Sequence, residues 1–158
     1  MCDGGEIGQW AQALTEAPRR LVNGVSGTIG GGIPYAIGAK AAAPTSDVIA
    51  IMGDGTAGFH FMEFETAVRE ALPFVAVIGN DRRWNAEHQI QVRDFGPERA
   101  HSCTLSDARY DEMAQAMGGF GAHVTKREDL PEALEAALAS GKPACVNVDI
   151  EGLAAPRF

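Results

Sequence analysis

Residues 47–58 read DVIAIMGDGTAG and residues 73–81 read PFVAVIGND, and these two stretches decide the fold. Each holds a short apolar run, residues 47–52 and 74–79, which contains β-branched side chains and ends at turn-forming residues. That pattern indicates a buried β-strand. A helical pattern lies between the two strands, and further strands and helices alternate beyond them. The sequence therefore predicts an α/β fold with a mainly parallel sheet covered by helices on both faces.

The remaining elements follow from apolar spacing and from the positions of glycine and proline. Helical spacing predicts helices over residues 6–16, 33–43, 59–72, 108–117 and 130–140, and a short helix over residues 82–91. Two more strands are predicted over residues 122–125 and 143–150, and residues 92–107 are polar and aperiodic, as expected for a long surface excursion. The length of 158 residues is that of one domain, so residues 1–158 are predicted to form a single domain.

Composition excludes several classes of function. The chain has 21 acidic and 13 basic residues and a net charge of −8, which argues against a nucleic-acid or anionic-membrane partner. No apolar run is long enough to span a bilayer. The three cysteines (Cys2, Cys103 and Cys145) lack the spacing of a metal site and cannot all pair, so we expect a reducing, cytoplasmic setting.

Carboxylates follow both decisive strands. Asp54 comes just after the first and Asp81 just after the second, and ligands of parallel sheets bind at the carboxyl ends of the strands. Two carboxylates beside exposed backbone suit Mg²⁺, which completes its coordination with phosphate oxygens and water. Gly55 and Thr56 would offer N–H groups to the same phosphates. The residues therefore predict a magnesium-bridged diphosphate. Helix capping and turn formation are the alternative roles for such aspartates.

At this point the motifs match a known family. Gly53-Asp54-Gly55 followed by Asn80-Asp81 resembles the GDG…NN signature of thiamine-diphosphate-dependent enzymes. Residues 27–39 (GTIGGGIPYAIGA) resemble the glycine-rich turn and helix of the acetolactate synthase branch, and residues 3–10 (DGGEIGQW) resemble its first diphosphate loop. The resemblance covers nearly the whole chain and corresponds to the C-terminal, diphosphate-binding domain of that family. A dinucleotide-binding loop is the alternative for the glycine-rich turn, but residues 21–25 make a poor preceding strand.

The resemblance implies a role for individual residues. Asp54, Asp81 and the Arg83 carbonyl would bind Mg²⁺, although the family commonly has asparagine where this chain has Asp81. The cofactor-binding residues implied are Gly4, Gly5, Glu6, Ile7, Gly8, Gly27, Ile29, Gly53, Gly55, Thr56 and Asp81. Within that set, the Gly27 carbonyl and the Ile29 N–H would face the pyrimidine, and the Ile29 side chain would bend the cofactor. Possible substrate-side residues are Trp84, Asn85, Glu87 and His88; a solvated helix face is their alternative.

The family also implies what this chain leaves to a partner. The activating glutamate comes from a pyrimidine-binding domain that this chain does not contain, so no catalytic residue is expected here and the chain alone should be inactive. The implied function is the diphosphate-binding half of a 2-oxo acid decarboxylase or carboligase, within a homo- or hetero-oligomer. The alternatives are a non-catalytic binding or assembly module and a truncated or orphan domain. We also expect an exposed apolar patch at Ile29, Ile33 and Trp84.

Overall fold

A computed structural model describes residues 1–23 and 26–155. Strands and helices alternate along most of the chain, as the sequence predicts. In chain order the elements are α1 (Glu6–Leu14), α2 (Gly32–Ala42), β1 (Ile49–Gly53), α3 (Asp54–Gly58), α4 (Glu63–Arg69), β2 (Val75–Asn80), α5 (Asn85–Phe95), α6 (Tyr110–Ala116), β3 (Phe120–Val124), α7 (Leu130–Ala139) and β4 (Ala144–Asp149), with single 3₁₀ turns at Pro97–Arg99 and Arg127–Asp129.

The four strands form one parallel sheet in the order β1-β2-β4-β3. β1 and β2 pair in register from Ile49 opposite Val75 to Gly53 opposite Gly79, and β2 extends one residue further, to Asn80. The two strands therefore end within one residue of each other. The residues that follow them, Asp54 and Asp81, are brought to one edge of the sheet, which is where the sequence predicts a site.

Helices cover both faces of the sheet, and a core cluster lies on each face. Alternate residues of β2 point into the two clusters. Ala76 and Ile78 face the larger cluster, which includes residues of α2, α4 and α6. Val75 faces the smaller cluster, which is completed by α7 and by parts of β3 and β4. The period of two along a buried strand explains why β2 reads as a continuous apolar run. The predicted α/β architecture is confirmed.

Residues 1–3 extend the sheet beyond β1. The Asp3 N–H donates to the Ile51 carbonyl (2.9 Å), the Ile51 N–H donates to the Met1 carbonyl (2.9 Å), and Cys2 forms parallel bridges with both Ile51 and Val22. This pairing anchors the start of the loop at residues 4–8 to the sheet. That loop therefore begins beside the carboxyl end of β1.

Two predicted boundaries are wrong. Within the helix predicted over residues 59–72, only α4 (Glu63–Arg69) is helical, because the chain first turns after α3 and packs Phe61 against Phe64 and Tyr110 at ring-centroid distances of 4.7 and 5.1 Å. The surface excursion predicted to begin at residue 92 begins later, because α5 continues to Phe95 and ends at Gly96, whose φ is 88°.

Among the described residues, no helix is long and apolar enough to cross a membrane.

Candidate functional site

A cavity of about 90 Å³ opens at the shared carboxyl end of β1 and β2. It is smaller than the roughly 300–1,000 Å³ of pockets that enclose a whole drug-sized ligand. Thirteen of the predicted site residues line it: Gly5, Glu6, Ile7, Ile29, Gly53, Asp54, Gly55, Thr56, Asp81, Arg83, Trp84, Asn85 and Glu87. Residues from four separate segments of the chain therefore meet in one place.

Asp54 is the most unusual residue of this cavity. Its side chain is buried, with 2% of its surface exposed, and its Oδ2 atom has no hydrogen-bond partner, alone among the buried side-chain oxygens and nitrogens of residues 1–23 and 26–155. Asp54 begins α3, but the residue that caps this helix is Gly53, and no side-chain capping bond is present. The capping role that sequence alone allows is therefore not observed. Buried polar atoms normally have a partner, so this carboxylate requires an explanation.

The electrostatic surroundings of Asp54 disfavour its charge. Burial raises its pKa to about 6, and the nearby charge of Asp81 also raises it, against the backbone N–H groups of Gly55 and Arg83, which lower it. The pKa of Asp81 is raised as well, first by burial and further by the charge of Glu6, while the N–H and charge of Arg83 lower it. Carboxylates held close together without a cation between them form a donor set that suits a hard divalent ion.

The loop over residues 4–8 approaches the cavity closely because it is rich in glycine. A Cβ atom on Gly4 would lie 2.3 Å from Ile29 Cγ2, and one on Gly8 would lie 1.6 Å from the Asp3 carbonyl oxygen. Gly4 and Gly8 are buried behind the lining residues Gly5, Glu6 and Ile7 and do not line the cavity themselves. Their role is to let the loop pack against its neighbours.

The glycine-rich turn contributes one residue to the cavity. Ile29 is half-buried and lines it, whereas Gly27 is exposed, with φ 66° and no atom within 4 Å of a Cβ built on it. Residues 24 and 25, which precede this turn, lie outside the described part of the chain. The expected apolar patch is wrong for Ile33, which is 1% exposed and belongs to the larger core cluster. Ile33 is on the core-facing side of α2, so burial is its structural role.

Residues before and along α5 close the cavity from the other side. Trp84 covers Gly55, where a Cβ would lie 2.7 Å from the indole ring, and it makes an edge contact with Phe59 at 5.9 Å between ring centroids. Glu87 is exposed and lines the cavity, while His88 is half-buried and does not. The sequence analysis assigned Glu87 and His88 the same possible role, but only Glu87 lines the cavity.

Asn85 is already engaged by the segment that follows β4. Its Nδ2 donates to the Leu153 carbonyl (3.2 Å), and its Oδ1 accepts from Gln89 Nε2 (3.2 Å). Glu6 accepts a hydrogen bond from the backbone N–H of Ala155. Residues 150–155 thus lie across the rim of the site and bond to two of its predicted residues, a contact that the sequence analysis did not foresee.

Asp3 is a functional residue that the sequence analysis quoted within a motif but gave no role. Its buried carboxylate accepts hydrogen bonds from the N–H groups of Gly4 (2.7 Å), Gly30 (3.1 Å) and Gly32 (2.5 Å). It therefore fastens the first loop to the glycine-rich turn, across 27 residues of sequence in the case of Gly30. The usable signal was its position directly before a double glycine, because a carboxylate there can accept bonds from glycine N–H groups.

Two further residues position the site: Tyr110, which no sequence motif marked, and Asn80, which belongs to a quoted motif but had no predicted role. The Tyr110 hydroxyl donates to the backbone carbonyl of Asp54 (2.9 Å), and burial raises the pKa of Tyr110 to about 12, which keeps this donor protonated. Asn80 Nδ2 donates to Asn147 Oδ1 (3.2 Å) and to the Ala108 carbonyl (3.1 Å). Both contacts join segments far apart in sequence, so no local pattern announces them.

Comparison with known proteins gives a consistent result. The family model described as "Thiamine pyrophosphate enzyme, C-terminal TPP binding domain" matches residues 3–148. A probable acetolactate synthase of Mycobacterium bovis is 38% identical over 149 residues, which cover 92% of this chain and 27% of that protein. A 2-hydroxyacyl-CoA lyase 2 of Bos taurus is 35% identical over 130 residues, covering 80% of this chain and 20% of the relative.

A solved structure extends the comparison to the fold. The thiamine diphosphate-dependent 4-hydroxybenzoylformate decarboxylase of Rhodococcus jostii superposes with a TM-score of 0.74 and 27% identity, over 80% of this chain and 24% of the decarboxylase. The chain thus spans about a quarter of the length of these relatives. By sequence and by fold, it belongs to the thiamine pyrophosphate enzyme family, as the C-terminal TPP-binding domain of that family.

Proposed function

We propose that this chain binds thiamine diphosphate through Mg²⁺ as the diphosphate-binding half of an acetolactate synthase-like decarboxylase or carboligase of 2-oxo acids. The observation that carries the proposal is the unpartnered Oδ2 atom of the buried Asp54, beside the second carboxylate of Asp81. A divalent cation between them would give Asp54 its missing partner and offset the repulsion between the carboxylates. The Arg83 carbonyl is the proposed third protein ligand.

The diphosphate is proposed to lie along the backbone that lines the same cavity. Gly53, Gly55 and Thr56 follow β1, and Gly5, Glu6 and Ile7 face them from the first loop. Gly4 and Gly8 support this loop from behind. Small residues and backbone groups at the cavity wall suit a ligand that needs close approach and N–H donors.

The cofactor's other end is proposed to extend out of the cavity, across Ile29, toward a partner. The cavity's small volume supports this arrangement, because it has room for an ion with phosphate groups but not for the whole cofactor. Ile29 would support the bent conformation, and the Gly27 carbonyl would contact the pyrimidine. The activating glutamate is proposed to come from a pyrimidine-binding domain or subunit, in a homo- or hetero-oligomer.

When bound, thiamine diphosphate supplies the nucleophilic carbon that attacks the carbonyl of a 2-oxo acid. The residues of this chain hold the metal and the diphosphate, and Trp84 shields Gly55 from solvent. Glu87 lines the cavity from the first turn of α5 and is proposed, with Trp84 and His88, to face the substrate. Asn85 is proposed to act there through the segment at residues 150–155, to which it is bonded.

A thermal melt with and without thiamine diphosphate plus Mg²⁺ tests the proposal. A ligand at about 100 times its dissociation constant adds about 2.7 kcal/mol of stability, which raises the midpoint by roughly 5–10 °C for a domain of this size. We expect that rise in the wild type and in Asp47→Ala, an exposed aspartate near the opposite end of β1, and no rise in Asp54→Ala. An equal rise in Asp54→Ala would contradict the metal assignment.

Activity separates the enzyme from the alternative of a non-catalytic module. The chain is mixed with a pyrimidine-binding domain of the family, and carbon dioxide release from a panel of 2-oxo acids is measured. Release that requires Asp54 supports the catalytic half-site. Cofactor binding without any release, across several partners and acids, would favour the module.

A further inference from the structure

Arg82 has an unusual backbone conformation at a decisive place. It lies between Asp81 and Arg83, and its φ of 58° puts it in the left-handed region, which side chains other than glycine rarely adopt. Such conformations persist only where the surrounding contacts enforce them, and they are concentrated at functional sites. The contacts of Arg82 should therefore explain both how the conformation is held and what it achieves.

Four contacts hold Arg82 in place, and they come from three different segments. Its Nε donates to Asp107 Oδ1 (2.8 Å) and its Nη2 pairs with Asp149 Oδ2 (3.2 Å) at the end of β4. Its backbone N–H donates to Asn80 Oδ1 (3.2 Å), and its carbonyl accepts from the Leu105 N–H (2.7 Å). The guanidinium and the backbone of Arg82 are thus fixed at the same time.

The loop that follows is aligned by this arrangement. Arg83 forms an antiparallel bridge with Thr104, and the Trp84 N–H donates to the Cys103 carbonyl (2.8 Å). The backbone of Arg83 lowers the pKa of both Asp54 and Asp81, and Arg83 lines the same cavity as these two carboxylates. A residue in the ordinary right-handed or extended region at position 82 would send the chain, and the Arg83 backbone, in another direction.

We propose that Arg82 is a positioning residue, whose two ion pairs hold the left-handed turn that directs Asp81 and the Arg83 backbone toward Asp54. The inference rests on the proposed function, because its consequence is the geometry of the cation site. Arg82 does not line the cavity itself, so it acts through its two neighbours in the chain, Asp81 and Arg83, which do. Its ion pairs are partly exposed, with 40% of the Arg82 side chain accessible, so their direct contribution to stability is small.

The direction in which cation affinity changes when the Arg82 side chain is removed shows whether Arg82 acts by positioning the backbone or by its charge. Removing the guanidinium of Arg82 removes a positive charge from the neighbourhood of a cation site, which by Coulomb's law alone strengthens cation binding. Loss of the left-handed turn weakens it. A weaker affinity in the variant therefore cannot come from the charge and has to come from the backbone.

The experiment is a calorimetric titration of the full chain with Mg²⁺ in the presence of thiamine diphosphate, for wild type, Arg82→Ala and Arg82→Gly. We expect Arg82→Ala to weaken Mg²⁺ binding at least about tenfold (~1.4 kcal/mol), since alanine lacks the ion pairs and resists a left-handed φ. Arg82→Gly should recover part of that loss, because glycine adopts the turn without steric cost. Melting midpoints without ligand should stay within a few degrees of the wild type.

Two controls match the two features of Arg82. Arg69→Ala removes an exposed arginine that pairs with Glu65 and Glu70 away from the site, and Ser102→Gly relieves another left-handed residue, with φ 56°. Neither should change the Mg²⁺ affinity. A wild type that binds while Arg82→Ala binds equally well or better overturns the inference alone. A wild type that binds no Mg²⁺, also with a pyrimidine-binding partner present, overturns the proposed function and this inference with it.

Discussion

Asp54 and Asp81 follow β1 and β2, whereas Asp149 ends the neighbouring strand β4 and Asp111, in the first turn of α6, accepts a hydrogen bond from Asn147 of β4. The first pair has raised pKa values, and the buried Asp54 has an oxygen without any partner. The second pair has lowered pKa values. Burial acts against them too, but Arg109 bonds to Asp111, and His123 and Arg82 bond to Asp149. Asp111 and Asp149 thus form ion pairs with side chains of this chain. Among the described residues no such ion pair is formed by Asp54 or Asp81, and the charge of Arg83 only partly offsets the burial of Asp81.

The opposite pKa shifts separate the pair that stabilises the fold from the pair that is proposed to bind a ligand. Asp111 and Asp149 complete networks made entirely of this chain's residues, so they contribute to stability. The raised pKa values of Asp54 and Asp81 mean that their charges cost stability, and the proposed cation would offset that cost. Three substitutions test this contrast.

The largest effect is expected at Asp54. Its pKa of about 6 lies above the ordinary 3.8, so the folded state holds a proton that the unfolded state has released, and stability falls as pH rises between those values. At 1.36 kcal/mol per pKa unit, the cost above pH 6 is about 3 kcal/mol. Without metal, we expect Asp54→Asn to be more stable than the wild type by up to that amount at pH 8, and equal to it near pH 4.

Urea unfolding at the two pH values checks this prediction, with Asp47→Asn as the control for loss of an exposed carboxylate. Adding Mg²⁺ and thiamine diphosphate at pH 8 should stabilise the wild type and leave Asp54→Asn unchanged. A variant that is less stable than the wild type at pH 8 would show that Asp54 is structural, and the contrast would fail.

Asp111 should respond in the opposite sense. Its carboxylate accepts from Arg109 Nε (3.0 Å), Arg109 Nη2 (2.6 Å) and Asn147 Nδ2 (3.4 Å). We expect Asp111→Asn to cost about 2 kcal/mol at pH 7, because it loses hydrogen bonds to a charged group. The lowered pKa means that this stability is present above pH 3.8 and is lost as pH falls through the folded value.

Guanidinium unfolding at pH 7 and at pH 3.5 measures that loss, which should shrink at the lower pH. Glu112→Gln is the matched control, since Glu112 pairs with the same arginine at 3.1 Å but has 62% of its side chain exposed. It should change stability by less than about 0.5 kcal/mol. An equal loss of stability in the two variants would mean that the burial of Asp111 does not strengthen its ion pair with Arg109.

The smallest effect is expected at His123. Its Nε2 lies 2.9 Å from Asp149 Oδ1, but about a quarter of each side chain is exposed, so solvent screens the pair. His123→Ala should cost about 0.5 kcal/mol at low salt and less at 1 M salt, measured by thermal melting. A cost above about 2 kcal/mol would mean that solvent does not screen the His123–Asp149 pair and that this pair stabilises the fold as strongly as a buried network.

Much of the site was accessible from sequence because its residues are marked by local patterns. Asp54 and Asp81 stand directly after apolar runs, and the parallel sheet brings the ends of those runs together. Tyr110 and Asn147 carry no such mark, and Asp3 is marked only by the double glycine that follows it. Each acts on a backbone group or side chain at least 27 residues away, and only the packed structure brings the two together.

Other errors of the sequence analysis have a similar cause. A continuous helix over residues 59–72 satisfies local spacing, but packing of Phe61 on Phe64 and Tyr110 favours a turn between two shorter helices. Asn85 looks like a free polar residue on the helix face that follows the metal loop. In the fold it is bonded to the Leu153 carbonyl, which no pattern within α5 could indicate.

The sequence by itself determined the alternation of strands and helices, the edge of the sheet at which Asp54 and Asp81 meet and, through the resemblance of its motifs, the family. The first two follow from apolar periodicity and turn residues, which are properties of neighbours along the chain. Only the tertiary structure decided which aspartates are held in ion pairs and which are not. The free energy of a buried charge depends on its desolvation and on partners brought from distant segments, and folding alone sets both.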